Sequence, residues 1–210
     1  MMIRFLSTVP FTLFMLSGIV LAAVATRTHI TEMAVTVRRD LGFSPMQLAH
    51  GEWIRLFSSV FFTVGGIKFY ASALMLAACV GIAERLHGTI RVAALFWGVH
   101  LVTLLVTSLA VAFPLRAMDI VHGTLLFEVH DVGPSAGYYG CLGVSCMSLP
   151  ARWRHAAGGA IMTIIAMRLL WSVIAIPDQG RALAADVAHL VAFPLGLASG
   201  ALLARRTPPA

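Results

Sequence analysis

Four side chains are placed where chemistry in an apolar setting would need them. Ser135 lies in Asp131-Val-Gly133-Pro-Ser135-Ala-Gly137-Tyr-Tyr139-Gly140-Cys-Leu-Gly143, where glycines leave little bulk around its hydroxyl. Backbone can then approach a neighbouring helix or a substrate closely. A serine hydroxyl is a weak nucleophile until a base removes its proton, and a neutral histidine can be that base. His189 is the matching residue, in Asp186-Val-Ala-His189-Leu-Val-Ala192-Phe-Pro-Leu-Gly196-Leu-Ala-Ser-Gly200. Lys68 and Ser72 are four residues apart, on one face if the segment is helical. They read as a donor pair for an oxyanion, although a desolvated, neutral Lys68 would instead be a general base. A Lys68 that snorkels to the outer interface on its four-carbon stem would be neither. Asp186, one turn before His189, reads as the cap of its helix, with orientation of His189 as the alternative.

The elements carrying these residues are membrane helices. Of 210 residues, 59% are hydrophobic and only 11% are charged, against about 25% charged in a soluble domain. Apolar runs predict six helices over about 11–26, 57–82, 89–113, 133–149, 157–176 and 183–204, with a long outer loop at 27–55. The chain reads as one membrane domain over 1–210. Arg4 and Pro10 precede the first span, and Ala23-Val-Ala25 at its end is also a pattern seen at signal-peptide cleavage sites; the retained helix is the favoured reading. An ionisable residue within a span is expensive and marks function by default, which is why His189 and Lys68 stand out.

The net charge of +6 does not point to nucleic acid, because the arginines are scattered between apolar runs. Arg4, Arg85, Arg91, Arg152, Arg154, Arg205 and Arg206 fall on one side, in short loops close to helix ends. Arg27, Arg38, Arg39, Arg55, Arg116 and Arg181 fall on the other. The short-loop side is taken as cytoplasmic, with both termini there. Ser135 and His189 then lie near the outer ends of spans four and six. Gly196 and Gly200 form a small-xxx-small pair facing the small side of span four, Ser135, Gly137 and Gly140. Cys79, Cys141 and Cys146 all lie in apolar runs and read as free thiols. No histidine, cysteine and acid cluster has metal-ligand spacing, and no cofactor is expected. His122 and His130 read as surface residues.

Together these residues resemble the rhomboid family of intramembrane serine proteases. Gly133-Pro134-Ser135 matches the family's Gly-x-Ser motif, with Ala136 in place of the usual following glycine. Tyr139 matches the tyrosine that packs on the catalytic histidine, and Gly143 the glycine eight residues after the serine. His189 and Gly196 match the helix-six motif, with Ala192 in place of its first glycine. Trp53-Ile54-Arg55 is similar to the loop-one Trp-Arg element with one residue inserted, and Glu84 matches the acid ending helix two. The likeness spans about residues 50–204. It implies an all-helical, six-helix rhomboid-like bundle in the membrane. It also implies a Ser135–His189 dyad, positioning by Gly133 and Tyr139, and a single-pass transmembrane protein substrate reaching the site laterally past helix five. Lys68 and Ser72 stand where the family has its oxyanion histidine and asparagine, and Thr63 replaces a loop-side histidine. That departure opens an alternative, a pseudoprotease that binds transmembrane segments without cutting them. A small-solute transporter is a weaker third reading, since no internal repeat or pair of broken helices is visible. The preference for arginine over lysine, with abundant alanine, suggests a bacterial cytoplasmic membrane.

Overall fold

A computed structural model describes residues 8–206, and the regular structure in it is helical. Arg4, counted among the inner charges, lies outside the described residues. Six longer helices form the body: α1 (Pro10–Thr26), α2 (Ile67–His87), α3 (Thr89–Val106), α4 (Ser135–Met147), α5 (Ala151–Ala175) and α6 (Arg181–Arg206). Among the described residues four stretches are long and apolar enough to cross a membrane, Ile67–His87, Thr89–Ala117, Ala151–Ala175 and Pro177–Ala204, and α1 is a shorter apolar helix. These features describe an integral, multi-pass membrane protein.

The 13 residues of α4 rise only about 20 Å, less than a hydrocarbon core of about 30 Å. Its N-terminal end is preceded by the irregular segment 129–134. Such backbone is tolerated at membrane depth only where protein satisfies its polar groups. Here Phe43 and Asp131 exchange both backbone hydrogen bonds, at 2.9 and 2.8 Å, and the Gly133 N–H donates to Ser59 O at 3.1 Å. Gly133 has φ of +137°, a conformation that side chains disfavour.

α4 is central and packs against α2, α3 and, most extensively, α6. Small residues permit this. An added Cβ on Gly196 would stand 2.1 Å from Gly140 O, and one on Gly143 would stand 2.6 Å from Phe193 O, so backbone lies on backbone. Gly200 lies against the Met147 side chain and the Val144 backbone. Gly137 departs from the expected pattern, since it faces the Phe96 ring of α3 and not α6. Below it, Phe96, Met15, Ile19, Leu76, Val80, Val92 and Cys141 form the main core.

α1 is tied to α2 by Glu84, which is 1% exposed. Its carboxyl oxygens accept from Phe11 N–H at 2.9 Å, Thr12 N–H at 2.8 Å and the Thr12 hydroxyl at 2.7 Å. These are the otherwise unpaired donors at a helix start, and a buried acid there suits them.

The second span starts ten residues later than hydropathy suggests. Residues 57–66 hold a helical turn, a short 3-10 turn and an extended run ending at Gly65 and Gly66, whose φ values are +91° and +58°. This glycine pair breaks the helix. The loop over 27–55 carries its own short helices, Val35–Leu41 and Pro45–Ala49. Arg55 gathers the carbonyls of Arg39, Asp40 and Gly42 at the end of the first of them. At Thr107–Ala112 α3 widens into a π-helical turn before Phe113–Ala117. Pro114 follows closely and cannot donate to the helical ladder.

Candidate active site

Ser135 is the first residue of α4, where backbone N–H groups and the positive end of the helix converge. α6 runs parallel beside it. The register aligns Gly140 with Gly196, and Ala136 and Ala192 share a buried cluster with Val99. Ser135 adjoins Ala136, and His189 lies one turn before Ala192. The two side chains therefore come from neighbouring turns of two closely packed helices.

The His189 ring is fixed from two directions. Tyr139 stacks on it with ring centroids 4.1 Å apart and planes 26° from parallel. Its Nδ1 lies 3.7 Å from Asp186 Oδ1, and its buried Nε2 has no hydrogen-bond partner. Nε2 is not hydrogen-bonded to the Ser135 hydroxyl. Catalytic hydrogen bonds are often long before substrate binds. An imidazole with one nitrogen beside a carboxylate and the other free is set up as a base.

A cavity of about 20 Å³ is lined by Ser135, Gly133, Asp131, Ser59, His100 and Ala188 among others, room for about one water. His100 is 2% exposed. Its Nε2 lies 3.0 Å from Leu56 O, so that nitrogen carries the proton, and its Nδ1 is left without a partner. Asp131 lines the same cavity, and its backbone is paired with that of Phe43. Sequence reasoning missed both residues. His100 was findable, because the rule that singles out His189 applies to any ionisable residue inside a span.

Lys68 is not deep in a span. It is the second residue of α2, its side chain is 47% exposed, and it pairs with Asp178 at 3.2 Å and Glu32 at 3.6 Å. A base that works because it is desolvated does not fit that setting, and the interfacial position does. Lys68 lines a neighbouring cavity of about 170 Å³ with Asp131, His130 and Arg168. Ser72, one turn on, faces the Tyr138 hydroxyl. Asp186 does not cap α6: it lies inside the helix, is 1% exposed, and is bound by two residues of α5. His122 Nε2 reaches Val173 O at 2.8 Å at an exposed position, and His130 Nε2 is buried without a partner. The three cysteines are free and buried. Among the described residues no group of three or more His, Cys, Asp and Glu is arranged to hold a metal.

A polytopic helical protein with a serine at a helix start, and a ring-clamped histidine on the adjoining helix, belongs to the class of membrane proteins built around an internal polar site. A profile of the rhomboid domain matches residues 50–206. The chain is a member of the rhomboid family. No curated protein and no solved structure matches the chain.

Proposed function

We propose that the chain is an intramembrane serine protease that cleaves transmembrane-helix substrates through a Ser135–His189 dyad. Six helices cross or enter the membrane in this reading, with α4 starting below the outer surface and both termini cytoplasmic. The observation that carries it is the Tyr139–His189 stack, which leaves Nε2 of the ring unpartnered and buried beside the helix that Ser135 begins. Nε2 takes the Ser135 proton as the hydroxyl oxygen attacks the scissile carbonyl. The proton then passes to the leaving amine, and water releases the acyl group by the same route. Gly133 fixes the turn into the nucleophile. Backbone N–H groups at the start of α4 hold the oxyanion, while Lys68 is held by Asp178 and Glu32. Loss of one such donor costs about 10²–10³ in rate and leaves activity measurable.

A second reading, a rhomboid pseudoprotease that binds transmembrane segments, is favoured by one observation. The side chain at one of the two oxyanion positions, Lys68, is committed to other partners, Asp178 and Glu32. A fluorophosphonate reagent on purified protein in lipid separates the two. Labelling that disappears in Ser135→Ala and His189→Ala supports the protease. Folded protein that stays unlabelled, yet still captures a single-pass transmembrane helix, supports the binder.

A further inference from the structure

The polar contact between α5 and α6 is out of keeping with its surroundings. α5 is the least buried of the long helices, with 17% of its spanning window inside the protein. Yet it sends Arg168 and Ser172, one turn apart, to the same carboxylate. Arg168 Nε donates to Asp186 Oδ1 at 3.0 Å and the Ser172 hydroxyl donates to Oδ2. Arg168 is 58% exposed at its side chain, while Asp186 and Ser172 are buried. An ion pair with one half-exposed partner adds little stability. Its presence calls for another role.

That role is visible at the carboxylate's remaining neighbour. Asp186 Oδ1 lies 3.7 Å from His189 Nδ1, while Tyr139 of α4 holds the ring face and Nε2 is free. Which imidazole nitrogen carries the proton is set by what the other one meets. A carboxylate beside Nδ1 favours the proton there and leaves the Nε2 lone pair as the acceptor. Two donors from α5 fix that carboxylate in place, so it cannot turn away. The charged and titratable groups around His189 are Asp186 on its own helix, Tyr139 on α4 and Asp131 in the segment before α4, with Arg168 of α5 bonded to Asp186.

We propose that Asp186 is a positioning residue for His189, and that Arg168 and Ser172 hold it in that position from α5. The proposal rests on the reading of Ser135 and His189 as a dyad, and it adds a third member that takes no proton. When Nε2 accepts the serine proton, the imidazolium closes on Asp186 and the shift from 3.7 Å to hydrogen-bond length stabilises the new charge. The α5–α6 contact thereby links the placement of a peripheral helix to the basicity of the site.

The test has two readouts on full-length protein in lipid nanodiscs. In the first, protein labelled with ¹⁵N-histidine gives the His189 tautomer from long-range ¹H–¹⁵N spectra, with His189→Gln identifying the signals. Wild type is expected to be almost wholly Nδ1–H. Asp186→Leu, which keeps the volume and removes the acceptor, is expected to show a large Nε2–H fraction. Arg168→Met with Ser172→Ala should give an intermediate mixture, and Arg168→Lys should restore the wild-type pattern. In the second, the rate of fluorophosphonate labelling at Ser135 should fall at least about tenfold in Asp186→Leu. Asp186→Asn serves if Asp186→Leu does not fold. An unchanged tautomer in folded Asp186→Leu or Asp186→Asn overturns the proposal, as does unchanged labelling where wild type reacts. If wild type does not label but its tautomer still depends on Asp186, the nucleophile reading fails and the positioning stands.

Discussion

Gly196→Ala puts a single methyl group between α6 and α4, and the structure gives its cost. The new Cβ would lie 2.1 Å from Gly140 O, 2.8 Å from its carbonyl carbon and 2.9 Å from its Cα. All three are backbone atoms, so no side chain can swing aside. Restoring ordinary contact near 3.4 Å requires the helices to part by roughly 1.3 Å. Overpacking costs about 1–3 kcal/mol, and a backbone clash belongs at the upper end, offset by up to about 1 kcal/mol from the better helix propensity of alanine. The larger effect should be on reactivity. Ser135 and His189 sit on the two helices being separated, and a misplacement of about 1 Å can cost about 10²-fold. The assay is the fluorophosphonate labelling rate at Ser135, read beside unfolding in a denaturing detergent titration. Gly159→Ala is the control, because on α5 its Cβ would meet nothing within 4 Å. It should leave labelling unchanged and stability equal or higher. Wild-type labelling and stability in Gly196→Ala, or an equal loss in Gly159→Ala, would refute the view that close α4–α6 contact sets the site.

Other outcomes follow from single contacts. Glu84→Ala strips the acceptor from two backbone N–H groups and one hydroxyl, and should destabilise by about 2–4 kcal/mol in detergent unfolding. Gly133→Ala forces a side chain into φ of +137°; it should cost about 1–3 kcal/mol and slow Ser135 labelling, as measured on the same samples. Lys68→Met should retain labelling and change stability by less than about 1 kcal/mol, because its ion pairs are exposed. Lost labelling there would return Lys68 to the oxyanion. Lys68, through its hydrogen bond and charge, holds the Asp178 carboxyl below its usual range. The pair therefore contributes fully above the ordinary aspartate range and is lost as pH falls through the lowered value. The small stability difference between wild type and Lys68→Met should accordingly vanish in acid, as melting at stepped pH would show.

Composition and motif spacing carry the helical membrane fold and the juxtaposition of the Ser135 and His189 helices. Gly196 and Gly200 announce the close approach to α4, because only small residues at that spacing let two helices touch. Gly137 lies in the same stretch but faces α3, since spacing fixes a face and not the partner on it. Hydropathy places the start of α2 too early because residues 57–64 are largely apolar and it does not register a break. Gly65-Gly66 was the available signal, and the depth of Lys68 depended on it. Asp186 shows a different limit. Its i, i+3 relation to His189 is local, whereas its partners Arg168 and Ser172 belong to another helix and are visible only once the chain is folded.

The cavity beside Ser135 has room for about one water, far less than a stretch of polypeptide occupies. On the proposed protease reading, turnover begins with a parting of protein from protein, a step slower than bond making in many enzymes. Reagents of graded bulk but equal intrinsic reactivity would expose that step. A small phosphonyl fluoride should react at a rate set by its electrophile. A bulky one should level off at a ceiling shared by other large ligands, and membrane thickness and temperature should shift that ceiling without touching the small reagent.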